Sequence, residues 1–173
     1  MNKLGIEASI RNVPELDPKY FPILRFNQAF LKTAKKPVSI AVERDRGQVA
    51  VCHTFIHGTD ERYEADCYYM DRLVKTLLWM KGGWKVYVAG DEKIGKYLQE
   101  TYSLTGARAF DADFMAGVYE KPFEVVICDQ VPEEKDVSQA IGRHMDGCRI
   151  GFDAGGSDRK VSAVVDGETV YSE

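Results

Sequence analysis

Cys148-Arg149-Ile150-Gly151-Phe152-Asp153-Ala154-Gly155-Gly156-Ser157-Asp158-Arg159-Lys160-Val161-Ser162-Ala163-Val164-Val165 reads as a strand, a tight glycine turn and a returning strand. Asp166-Gly167 then turns the chain again toward Thr169-Val170-Tyr171, so three strands follow one another as a meander. The first turn concentrates chemistry. Asp153 closes its strand with a carboxylate, Gly155 and Gly156 let a ligand approach the backbone closely, Ser157 adds a hydroxyl, and Lys160 follows three residues later. Successive amide groups in such a turn can point into one concavity and hold an anion. A carboxylate beside them suits a hydrated magnesium ion, which takes few protein ligands besides water and phosphate oxygens. The pattern alone fits a phosphate-gripping hairpin and a plain Gly-Gly hairpin about equally well.

Upstream, the chain alternates helix-like and strand-like segments. Phe21, Leu24, Phe26, Phe30 and Leu31 recur at helical spacing between Lys19 and about Lys35, with Pro22 in the first turn. Val38–Glu43 and Gln48–Ile56 read as strands joined through Asp45-Arg46-Gly47. Met70, Leu73, Val74, Leu77 and Leu78 form the stripe of a helix from about Ala65 to Lys81, which Gly82-Gly83 ends. A strand at 84–89 and a helix at about 92–101 follow, then a short helix at about 112–119 with Asp111 as its N-cap. Phe123–Cys128 is a further strand, and Val131-Pro132-Glu133-Glu134 reads as the acidic first turn of a helix running to about Ile141. Residues 1–18, with Pro14 and Pro18, read as an extended arm or a cap.

The fold class this predicts is α/β: a mixed sheet with flanking helices, then a C-terminal β-meander. The polar stretch from Gly142 to Gly147 is the expected boundary, giving a leader domain over 1–146 and the meander over 147–173.

Composition sets the class of protein. With 45% hydrophobic and 29% charged residues, the 173-residue chain has material for a packed core rather than the profile of a disordered one. A net charge of −4 argues against nucleic acid or an anionic membrane as partner. No apolar run reaches the roughly 20 residues that span a bilayer. Cys52, Cys67, Cys128 and Cys148 are scattered, with no Cys-x-x-Cys pair, which fits a reducing cytoplasm. His53 and His57 lack partners at a recognisable ligand spacing, so no metal site is assigned. Trp79 and Trp84 are expected to pack at the helix–strand corner around Gly82-Gly83, and Arg108 to pair with Asp111 and Asp113.

Gly151-Phe152-Asp153-Ala154-Gly155-Gly156-Ser157, with Ala163-Val164-Val165-Asp166-Gly167 after it, resembles the first phosphate-binding hairpin of the actin-like ATPase superfamily, whose domains have a ribonuclease H-like fold. Within it the chain resembles the ROK family of sugar kinases and sugar-responsive repressors. Trp79–Val86 and Gly106–Met115 resemble a leader domain of some ROK-type proteins. The chain departs from the ROK pattern at Asp158, where the family places a lysine. Basic residues at Arg159 and Lys160 are closer to the ATP-binding activators of 2-hydroxyacyl-CoA dehydratases, in the same superfamily.

The resemblance implies a cofactor-binding set of Asp153, Gly155, Gly156, Ser157 and Lys160, with no catalytic residue in these 173. It implies ATP and Mg2+ as cofactors, and a sugar and ATP as ligands, of a longer parent protein of which this would be the N-terminal part. The chain alone is expected to need no cofactor and to be inactive, because phosphoryl transfer needs several loops acting together. The alternative is a regulatory or ligand-sensing protein without catalysis. The meander's strand edges are expected either to dock on the leader domain of the same chain or to pair with a second copy as a homodimer.

Overall fold

The computed structural model describes residues 2–137 and 145–173. The chain divides into two compact units, Met1–Asp136 and Val137–Glu173.

The first unit is built on a four-stranded mixed sheet. Strands β3 (Lys36–Arg44) and β4 (Gln48–Ile56) form an antiparallel hairpin whose tight 3-10 turn holds Arg46 and Gly47 at φ 61° and 63°. Helix α2 (Tyr63–Lys81) follows, and β5 (Lys85–Ala89) returns antiparallel to β3. Helices α3 (Glu92–Thr101) and α4 (Ala109–Tyr119) then bring the chain round to β6 (Glu124–Ile127), which lies parallel to β5. The sheet order is β4-β3-β5-β6. In front of it, two-residue strands β1 (Asn2–Lys3) and β2 (Ile6–Glu7) make a small hairpin, and α1 (Ile23–Thr33) comes next.

Alternation decides which side of the sheet is covered. Val38, Ile40, Val42, Val86 and Val88 project to one face and are all buried. Against them pack Phe26 and Phe30 of α1, Met70, Val74 and Leu78 of α2, and Ile94 and Leu98 of α3. Each side chain of this kind contributes roughly 1.5–3 kcal/mol through burial. Helices α1 and α2 thus use the stripe their periodicity dictates, although Leu24 and Leu31 turn outward. Gly82 stops α2 at φ 73°. At Gly83, φ is 152° and a Cβ would lie 2.8 Å from the Glu43 carbonyl oxygen, so only glycine fits where α2 turns onto the sheet.

The opposite face carries Ser39, Ala41, Val51, His53, Tyr87 and Ala89. Residues 129–136 cross it as a strap. They leave β6 at one edge of the sheet and reach β4 at the other, where Lys135 and Val49 exchange both backbone hydrogen bonds. Asp136 anchors the strap's end between Arg44 and Lys81. This corrects the expected helix: residues 131–137 carry none, and 138–141 lie outside the described residues. Glu133, Glu134 and the backbone of Lys135 serve the strap rather than a helix dipole. Residues 142–144 of the expected boundary also lie outside the described residues.

Of the arm and cap alternatives for residues 1–18, the first residues follow the second, because β1–β2 folds back and buries Ile6. One further expectation changes. Asp111 does not cap α4. The cap position is Arg108, and Asp111 sits in the first turn, buried, accepting from Lys75 Nζ at 3.0 Å and Trp79 Nε1 at 2.7 Å. Arg108 keeps the expected ion pair with Asp111, at 3.8 Å, but its closer partner is Asp71, with a two-pronged contact at 2.7 and 2.6 Å that pushes the guanidinium pKa up. Trp79 meets Phe114 in a stacked pair at 5.2 Å, and Trp84 lies under Lys85 and Lys121.

The second unit is a three-stranded antiparallel sheet, β7 (Cys148–Ala154), β8 (Arg159–Val165) and β9 (Glu168–Ser172), in that order. Asp166 and Gly167, at φ 49° and 87°, make the second turn, the left-handed pair that a two-residue hairpin favours.

Candidate functional site

The residues expected to grip phosphate converge on the β7–β8 turn. Strand pairing sets Asp153 opposite Lys160 and Ala154 opposite Arg159, leaving Gly155–Asp158 as the connection. Side chains of directly opposed residues share a face, so the carboxylate and the amine project to the same side. Lys160 Nζ stands 3.3 Å from Asp158 Oδ2, so the turn's own acid holds the lysine. Gly155 is where glycine matters: a Cβ there would lie 2.7 Å from Asp158 Oδ1 and 2.9 Å from its carbonyl oxygen. A Cβ at Gly156 would meet nothing within 4 Å, so its backbone is open to a ligand. Asp153, Gly155, Gly156, Ser157 and Lys160 are all exposed.

This donor set fits a phosphate group approached from one side. A nucleotide's base and ribose find no complementary group on the turn itself.

In the first unit a different constellation emerges, which spacing did not reveal. Asp66 of α2 is buried, and its carboxylate takes three hydrogen bonds: from the backbone amides of His57 at 3.0 Å and Gly58 at 2.8 Å, and from His57 Nδ1 at 2.8 Å. The other ring nitrogen, Nε2, lies 2.8 Å from Thr33 Oγ1 at the end of α1. Phe30 packs edge-on against the imidazole at 4.6 Å. The array ties α1, the end of β4 and α2 into one corner, and it fixes the ring's orientation from both sides. His53 faces elsewhere, bonded through Nδ1 to Ser39 Oγ at 2.8 Å, beside a cavity of about 480 Å³ beneath the strap. Among the described residues no group of three or more His, Cys, Asp or Glu side chains is placed to hold a metal ion.

Thr33 also lies on the wall of a larger cavity of about 600 Å³ between α1 and residues 5–9. Arg25, Gln28, Ala29 and Lys32 line it from α1. Their 3–4–7 spacing was visible in the sequence as the polar complement of the Phe26–Phe30 stripe, but nothing in the sequence placed a wall opposite them.

No family model matches this chain, and no curated protein or solved structure matches it either. Among the described residues no helix is long and apolar enough to cross a membrane.

Proposed function

We propose that the β7–β8–β9 meander is the first phosphate-binding hairpin of an actin-like ATP-binding domain, of the kind ROK sugar kinases use. These 173 residues contribute one phosphate loop to a kinase and have no turnover by themselves. The observation that carries this reading is the Gly155–Asp158 turn, which closes an antiparallel pair with Asp153 at its mouth and the Gly156 backbone open. In that role Asp153 holds magnesium-bound water, the turn amides and Ser157 orient phosphate oxygens, and Lys160 offsets their charge. Phosphoryl transfer relies on positioning and charge stabilisation from several directions, and one exposed turn supplies one direction.

The ion pair between Lys160 and Asp158 favours a second reading, a ligand-sensing protein that binds nucleotide without catalysis, since a lysine held by its own loop delivers less charge to a phosphate.

The test is to incubate the chain with ATP, Mg2+ and a panel of sugars and to follow ADP release. No turnover is expected, and measurable phosphorylation of any sugar overturns the proposal. The coding sequence beyond Glu173 separates the two readings: a second Asp-Gly-Gly-type loop with a Cys/His cluster marks the kinase.

A further inference from the structure

We propose that the cavity between α1 and the β1–β2 hairpin is a binding site for a small phosphate monoester. It is independent of the meander and of the function proposed for it.

The argument begins with charge. The whole chain carries −4, yet this cavity is lined by Arg25, Lys32 and Arg62, with Glu7 as the carboxylate on its wall. Three cations against one acid make a local surplus in a protein of opposite sign. Such a concavity concentrates anions. A phosphate monoester at neutral pH carries about −1.5 to −2 and matches that surplus better than a single carboxylate does.

The geometry is that of a built site. Arg25 and Lys32 stand seven residues apart, two turns along the same face of α1, with Gln28 between them, and the opposite face of the helix is anchored by the fully buried Phe26 and Phe30. Arg62 comes from the turn before α2, and its Nη1 donates to the Gly5 carbonyl at 2.6 Å, which fixes the guanidinium at the cavity wall. Gly5 is glycine for this reason: φ is 76° and a Cβ would lie 2.4 Å from that same nitrogen. Buried Ile6 holds the hairpin in place as the second wall. Ser9 adds a hydroxyl, while the Thr33 hydroxyl on the wall is already engaged by His57 Nε2 and the Phe30 carbonyl. At about 600 Å³ the cavity falls within the usual range for small-molecule sites, roughly 300–1,000 Å³.

Arg25 and Lys32 are exposed, so replacing them leaves the core untouched. Isothermal titration of the whole chain with glycerol 3-phosphate, inorganic phosphate, glycerol and acetate tests the site. Saturable binding is expected for the two phosphates, weakening with added salt, and none for glycerol. Arg25→Ala and Lys32→Ala should each weaken it by about tenfold or more, the usual loss when a charged hydrogen-bond partner is removed. Lys32→Arg should retain binding, and Glu7→Gln should tighten it. The proposal is overturned by no saturable heat at about 10 mM phosphate ester, a weaker limit than most small-molecule sites show. It is overturned equally if glycerol or acetate binds as well as the phosphates, or if the Arg25→Ala/Lys32→Ala double variant binds unchanged.

Discussion

β3 and β7 are strands of similar length with opposite surroundings. In β3, Val38, Ile40, Ala41 and Val42 are all 2% exposed or less, whereas every residue of β7 is exposed, Ile150 at 80% and Phe152 at 67%. The difference lies in layers. β3 has helices on one face and the strap on the other, while the meander is a single sheet of three strands. Backbone pairing alone gives a strand its register, and a second layer is what turns register into stability. The first unit therefore has a packed core of its own, whereas the described residues of the second form a single sheet without one.

Phe30→Ala attacks that contrast most strongly. The ring is fully buried, stacked on Tyr69 at 4.4 Å and edge-on to His57, so its removal should cost about 4 kcal/mol. Urea unfolding followed by tryptophan fluorescence reads this directly, because Trp79 and Trp84 both belong to the first unit. Phe152→Ala should leave the same transition within about 0.5 kcal/mol. A large shift from Phe152→Ala would mean that the two units unfold together.

Thiol reactivity sharpens the contrast further. Cys148 opens β7 and is exposed, whereas Cys67 lies within α2, where burial pushes its thiol up to about 11. Burial also raises the Cys52 and Cys128 thiols. Reaction with a chromogenic disulfide at about pH 8 should give one fast thiol and three slow ones, because the thiolate is the nucleophile and its fraction falls about tenfold for each unit of pKa. Cys148→Ser should remove the fast phase; a fast phase that survives would place the open thiol in the first unit.

The smallest effect is association. Among the described residues β7 and β9 are the outer strands of their sheet, and an outer strand can template a second copy, so light scattering after size exclusion should show a weak dimer. Ile150→Lys, which puts a charge on the outer strand, should return it to monomer. A clean monomer in the unaltered chain removes the meander as a dimer surface.

Much of this architecture was legible in the sequence. Alternation in Val38-Ser39-Ile40-Ala41-Val42 and the heptad-like run from Met70 to Leu78 identify β3 and α2, because each pattern exposes one face and hides another. The meander was equally clear, since its turns depend on local glycine chemistry. What escaped reading depends on distant partners. The acids of residues 129–136 imitate a helix start, yet the chain spends Asp136 on Arg44, 92 residues away in sequence. Asp111 has the composition of a cap but is claimed by Lys75 and Trp79 of another helix. β1 and β2 are two residues each, too short for any period. The turn residues Asp153 to Lys160 were found as a group because they are contiguous. The Asp66–His57–Thr33 array and the cationic cavity were not, because three separate elements assemble them.

The strap has a mechanical consequence. The polypeptide passes from the first unit to the second just after Asp136, so any tension on the C-terminal part of the chain enters the first unit there. Its load falls first on the ion pairs of Asp136 with Arg44 and Lys81 and on the two backbone bonds joining Lys135 to Val49. Those contacts stand between the C-terminal part of the chain and the hydrogen-bonded strands beneath.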